Sequence, residues 1–380
     1  MIWLATALAI LGASGAPSSS APLLGAIRWD AWHTPWSRVK AGSADGPVAA
    51  VTRSLSPGRY HWRAPFFARE IDPEHLAIDG YTPAIMDREI AYAKAGGLDY
   101  WAFLLYDPDS AMTQALDLYR ASAHRADLGF CGIASPATFG GVKTFDAGVA
   151  RLADLLSEPG YVTVALGRPL LYLFDVQDKW IEAWGGAEAA AGRFRGLKMA
   201  LRARGLREPY LVVLDFDPHH GAKVARIVGG QALSSYTVAG DGRDAPYSDL
   251  TAGARGFWER CLATGLDVVP IAVAGWDRRP RIEHPVPWES YQQPGVGMDR
   301  FYREPTPEQL AQHLGEALDW AAARPERCPA QTALVYAWNE HDEGGWLCPT
   351  LKAGGGIDDS RLAALAARRR NDPRRPAAGP

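Results

Sequence analysis

The sequence predicts an α/β fold, a single-domain (β/α)8 TIM barrel with long loops after its first and seventh strands. Three observations lead there: eight short apolar runs, helical patterns in the intervals between them, and runs that are continuously apolar rather than alternating. Near-continuous apolar runs mark strands buried on both faces, as in a parallel sheet covered by helices. Strand and helix alternating eight times over argue for a closed barrel, and 380 residues suit one. A doubly wound open sheet would carry a glycine-rich phosphate loop after its first strand, where this chain reads RWDAWHTPW.

The runs, in order, are LLGAIRW (23–29), LDYWAFLLY (98–106), LGFCGIA (128–134) and RPLLYLFDV (168–176), then PYLVVLDFD (209–217), QALSSYTV (231–238), DVVPIAVAGW (267–276) and QTALVYAW (331–338). Between the first two, Thr82-Pro83 supplies an N-cap and a proline at the first helical position. Ile85, Met86, Ile90 and Ala93 form an inward stripe, and Gly96-Gly97 stops the helix. Before the eighth run, Thr306-Pro307-Glu308-Gln309 is a capping-box pattern, followed by Leu310, Leu314, Ala317 and Leu318 at helical spacing. Segments 110–126, 145–157, 187–204, 251–264 and 359–370 also read as helices, and 219–228 as a weaker one.

The barrel is expected over 23–370. Ahead of it, 1–22 reads as a signal peptide and leader: residues 2–11 are almost wholly apolar, and Ala13-Ser14-Gly15 resembles a signal-peptidase site. That pattern predicts a secreted or periplasmic protein, with no membrane insertion once the leader is removed, since no other segment is apolar enough to span. Residues 371–380 read as a disordered tail, and Arg368–Arg370 with Arg374 and Arg375 as a frayed end. Four cysteines at 131, 261, 328 and 348 form no CxxC pair, so buried or free thiols are expected and no structural zinc. A net charge of −3 with scattered basic residues gives no field suited to nucleic acid. No cofactor and no metal are expected, and oligomeric state is not legible.

In such a barrel, chemistry sits at the C-terminal ends of the strands. Reading off those positions yields Asp30 with His33, Tyr106 with Asp107, Ser135, Asp175 with Gln177, and Asp215 with Asp217 and His219. Then come Tyr236, the run Trp276, Asp277, Arg278 and Arg281, and finally Asn339, Glu340 and Glu343. Trp32, Trp276 and Trp346 are expected as pocket walls, with Arg278 or Arg281 reaching toward an acidic substrate. The first loop runs about 50 residues from Trp29 to Thr82, and the seventh from Trp276 to about Thr306. Unstructured loops of that length usually cover or line a site.

The stretch VYAWNEHDEGGW (335–346) ends the eighth run with three carboxylates in four residues. Such crowding is costly unless the carboxylates are solvated or used. Two carboxyls at one mouth, beside aromatic rings, are the minimal kit for breaking a glycosidic bond. One delivers a proton to the leaving oxygen, and the other supplies negative charge or basicity at the sugar. A carbohydrate substrate follows, because rings beside polar groups match a sugar's apolar faces and hydroxyl edges. Two other readings compete. A metal-dependent hydrolase would use Asp215, Asp217, His219 and His220 with His33. A non-catalytic glycan-binding or envelope-polysaccharide biosynthesis protein would need only the walls and the polar rim.

WNEHDEGGWLCP resembles the Trp-Asn-Glu-x-x-Glu-Gly segment of the glycoside hydrolase family 99-like proteins, which include the WbsX-type polysaccharide proteins and are related to endo-α-mannosidases. EIAYAKAGGLDYWAFLLY, AGWDRRPR and GAIRWDAWH add weaker points of similarity. The resemblance implies retaining cleavage with Glu340 as base or nucleophile and Glu343 as general acid/base. His341-Asp342 in the middle of the motif, and Cys348 where an acidic residue is expected, depart from the family pattern.

Overall fold

The structure is a computed structural model that describes residues 21–35, 46–352 and 355–375. The leader reading and the last residues of the tail lie outside them. Eight parallel strands form the barrel: β1 (Leu23–Arg28), β2 (Tyr100–Leu104), β3 (Gly129–Ala134), β4 (Arg168–Phe174), β5 (Tyr210–Leu214), β6 (Ala232–Ser234), β7 and β8 (Thr332–Tyr336). β7 comes in two pieces, Asp267–Val268 paired with β6 and Ile271–Val273 paired with β8. Since β1 pairs with both β8 and β2, the ring closes through this split strand. Pro270 lacks the N–H that an unbroken ladder needs, which explains the break.

All eight expected runs become strands, and every expected helical interval carries helix, although 110–126 keeps only Gln114–Ala121 as α-helix between two 3-10 turns. Inside the barrel, the Tyr100 hydroxyl lies 2.9 Å from both the Tyr172 hydroxyl and Thr332 Oγ1. Position 25 must be glycine for this, because a Cβ there would lie 2.0 Å from the Tyr100 ring. All four cysteines are buried and free. Among the described residues no helix is long and apolar enough to cross a membrane.

Two expectations need correction. The first loop is not an unstructured cover. It contains the helix Pro47–Leu55, the 3-10 turn Gly58–Arg63 and a hairpin, Ala68–Asp72 with His75–Ile78. These elements enclose a small core of their own, including Trp32, Val51, Leu55, Tyr60 and Ile78. Nor is the basic end frayed as far as Arg375. Buried Arg369 bonds Asp99, Arg375 lies 3.2 Å from the same carboxylate, and Arg374 pairs with Asp319 and Asp372. These arginines tie the chain end to the N-terminal side of the barrel.

Candidate active site

Beyond β8 the chain makes a tight hairpin. Asn339–Glu340 pairs with Gly345–Trp346, and His341–Glu343 forms one 3-10 turn between them. Gly344 closes it at φ 87°, and a Cβ there would lie 2.4 Å from the Asp277 nitrogen, so only glycine fits. The turn directs Glu340, Asp342 and Glu343 toward one guanidinium. Arg281 donates Nε to Asp342 at 2.7 Å, Nη1 to Glu343 at 2.6 Å and to Glu289 at 3.1 Å, and Nη2 to Glu340 at 3.3 Å and to Asp342 at 3.2 Å. That accounts for all five N–H donors of an arginine. None remains for a substrate, so the expected reach of Arg281 toward an acidic ligand does not hold. Arg278 bonds the other side of the cluster, at 3.1 Å to Glu343 and also to Glu289.

The two glutamates differ in their surroundings. Glu340, 2% exposed, accepts 2.8 Å from the Tyr236 hydroxyl and only the longest Arg281 bond. Burial, then the neighbouring Glu343 charge, pushes its carboxyl well above the ordinary range. Glu343, 8% exposed, is also pushed up by burial, but Arg281, Arg278 and the Tyr336 hydroxyl outweigh that and hold it below its ordinary value. Burial likewise raises Glu289, against the pull of both arginines. In the free protein the proton therefore favours Glu340, opposite to the division of roles that the resemblance implies.

Rings surround this cluster. Phe174 stacks on Tyr236 at 4.7 Å and meets the exposed Phe216, while Trp29 lies 5.6 Å from the exposed Trp288 and 4.9 Å from the Arg281 guanidinium. Tyr106 is half-buried, with its hydroxyl shielded from solvent. Burial, with the Asp30 and Glu340 carboxyls nearby, pushes it well above its ordinary value.

Several expected site residues serve other ends. Trp32 is fully buried in the first-loop core and donates to the Asn339 carbonyl at 2.7 Å, so it is no pocket wall. Asn339 holds the Trp29 backbone through its amide. His33 lies in a buried network, 2.7 Å from Glu89, which also bonds Arg28, the partner of Asp30. Asp277 pairs with Arg63 and Arg279 and bonds through its N–H to the Glu343 carbonyl at 2.7 Å, bracing the hairpin. Trp276 and Trp346 line a cavity that also contains Asp277 and Gly344. Asp215 binds His220, Asp217 caps the next helix, and exposed Asp175 bonds only Gln177, so these three stand apart from the cluster. The ligand set of the metal-hydrolase reading is thus dispersed, with His33 in the Glu89 network. Sequence reading did not single out Tyr336 or Glu289. It also passed over Glu89, although a signal was there: Glu89 lies three residues after Met86 and four before Ala93 on the inward stripe.

No protein-family model matches the chain, and no curated protein matches it. Among solved structures it is similar to the GH99 endo-alpha-mannosidase from Bacteroides thetaiotaomicron, at TM-score 0.56 and 12% identity over 91% of this chain and 96% of that one. A second structure of a GH99 endo-alpha-mannosidase from that organism, in complex with BIS-TRIS-propane, gives 0.55 and 14% over 91% and 95%. Likeness at this level of identity establishes a shared fold, the (β/α)8 barrel.

Proposed function

We propose that the chain is a glycoside hydrolase that cleaves a glycosidic bond in an oligo- or polysaccharide, with Glu340 and Glu343 as its reacting carboxyls. One observation carries this reading. Two carboxyls on a single turn at the C-terminal mouth of the barrel are shifted in opposite directions, Glu340 up by burial and the Glu343 charge, Glu343 down by Arg281, Arg278 and Tyr336 against its burial. Divergent proton affinities in a carboxyl pair are what acid-assisted glycoside cleavage requires. The fold shared with solved endo-alpha-mannosidases supports the same conclusion.

In this reading Glu340 gives its proton to the departing oxygen, with Tyr236 orienting it. Glu343, kept anionic by Arg281, Arg278 and Tyr336, supplies charge or attack at the anomeric carbon. Because one guanidinium bonds both carboxyls, the pair is close-set. That favours the short spacing of retaining enzymes, about 5–5.5 Å, over the wider inverting one. The greater exposure of Glu343 favours a second reading, the reverse division implied by the resemblance. Export to the periplasm or beyond belongs to the proposal and rests on the leader pattern alone.

The test uses leaving groups. A proton donor matters little for an aryl glycoside with an acidic leaving group. If Glu340 is the donor, Glu340→Gln retains far more activity on that substrate than on a natural glycan, and Glu343→Gln loses both. The opposite pattern selects the second reading. Full activity in both variants removes the pair from the chemistry.

A further inference from the structure

Beside the carboxylate cluster lies a cavity of about 230 Å³ lined by Trp62, Trp276, Trp346, Tyr302 and Glu304, with Gly344 and Asp277 in its wall. It adjoins a second cavity of about 140 Å³ that shares Trp62, Trp346 and Glu304 and adds Asp358 and Ser360. We propose that the first cavity is an accessory subsite for one uncharged pyranose ring, belonging to the glycan that meets Glu340 and Glu343. The choice of ligand class rests on the glycosidase reading; the cavity itself rests on geometry.

The size suits a single ring, being below the roughly 300–1,000 Å³ of pockets for drug-sized ligands. The wall offers both things a pyranose needs. Trp62 is 41% exposed at the rim, its indole N–H donating to the Arg59 carbonyl at 2.8 Å and its ring set edge-to-face with Trp346 at 5.7 Å. His341, Arg361 and Arg63 pack on Trp346, which holds that ring fixed in the cavity wall. The Glu304 carboxylate, one oxygen of which takes Arg361 at 2.8 Å, supplies an acceptor for hydroxyl groups in the same wall.

The charges argue against an anionic ligand. Arg63 and Arg279 are both committed to Asp277, and Arg303 pairs with Asp244. Position argues for the same glycan, since Gly344 directly follows Glu343, and Asp277 in the cavity wall bonds the Glu343 carbonyl. A sugar held here would lie beside the one being cleaved.

The experiment titrates the full chain with methyl glycosides of glucose, galactose and mannose and with their disaccharides. Tryptophan fluorescence and saturation-transfer NMR are the readouts. Saturable binding of at least one sugar is expected, weakened roughly tenfold or more by Trp62→Ala and largely kept by Trp62→Phe. Trp62 is partly exposed, and thermal melting checks that the alanine variant is folded. Glu343→Gln should leave this binding in place, so the pocket is read separately from catalysis. Absence of saturable binding for every sugar, or binding unchanged by Trp62→Ala, overturns the subsite. A failure of the Glu340 and Glu343 variants to affect hydrolysis would overturn the glycosidase reading and leave the Trp62 result standing.

Discussion

Two arginine-centred clusters lie close together in this barrel, one at the end of β1 and one beyond β8. In the first, Arg28 bonds Asp30 at 2.7 Å and Glu89 at 2.9 Å, while Glu89 also takes His33 and, at 2.9 Å, the Trp338 indole N–H. Burial pushes Glu89 up, but Arg28 and His33 more than offset it, and the carboxyl stays ionised far below its usual range. In the second, four carboxyls share two guanidinium groups, Arg281 and Arg278. Burial and the crowding of like charges raise the proton affinity of Glu340 and Glu289 above that of an ordinary carboxyl. Both clusters are buried and both end in arginine. Burial raises one acid of the first cluster as well, Asp30, so the difference lies in the pairing. Arg28 and His33 hold Glu89 ionised, whereas in the second cluster two glutamates on one guanidinium are driven apart in proton affinity, which favours a proton that can be passed on.

The largest effect that tests this contrast is on rate. On natural glycans Glu340→Gln and Glu343→Gln should each lose roughly 10²–10⁴-fold of activity, the usual worth of acid–base assistance. Neither should unfold the protein, because each removes a surplus acid. Steady-state kinetics together with thermal melting check both halves, and a large drop in melting temperature would place these glutamates with the framework. Next comes Glu89→Ala, which leaves buried Arg28 with Asp30 alone and takes the acceptor from His33 and from the Trp338 indole. A loss of roughly 3–5 kcal/mol in denaturant unfolding is expected, as for breaking a buried pair from one side. A loss below about 1 kcal/mol, the worth of a surface pair, would erase the distinction between the clusters.

His341 sharpens the comparison because it lies between the two glutamates of the second cluster while feeling the Glu89 charge of the first. It is fully buried, its ring nitrogens have no hydrogen-bond partner, and burial pushes its pKa down to about 3. The unfolded chain therefore binds a proton that the folded one refuses. This contribution is complete above pH 6.5 and lost as pH falls toward 3, by an amount on the order of a few kcal/mol. Unfolding measured across that window should show a shallower acid loss in His341→Phe than in the parent chain. The smallest effect expected is that of Asp175→Asn. Asp175 is exposed and bonds only Gln177, so stability should stay within about 0.5 kcal/mol and hydrolysis should persist. A rate loss like that of Glu340→Gln would extend the reacting site across the mouth.

The sequence by itself determined the barrel and the segment that carries the paired glutamates. Strands buried on both faces read as continuous apolar runs, helices announce themselves by caps and spacing, and Glu340 and Glu343 are neighbours along the chain. Glu89 was passed over, although a charge on an apolar stripe was a signal for it. Tertiary structure alone decided which polar residues meet. Asp30, Trp32, His33 and Asn339 carry the same strand-end signature as Glu340, yet they pair with one another, with Glu89 or with the backbone. Glu289 and Arg281 are brought to the glutamates by a long loop whose path no local pattern specifies. Proton affinity then follows from burial and from the count of charges within a few ångströms, quantities that arise only when distant segments pack together.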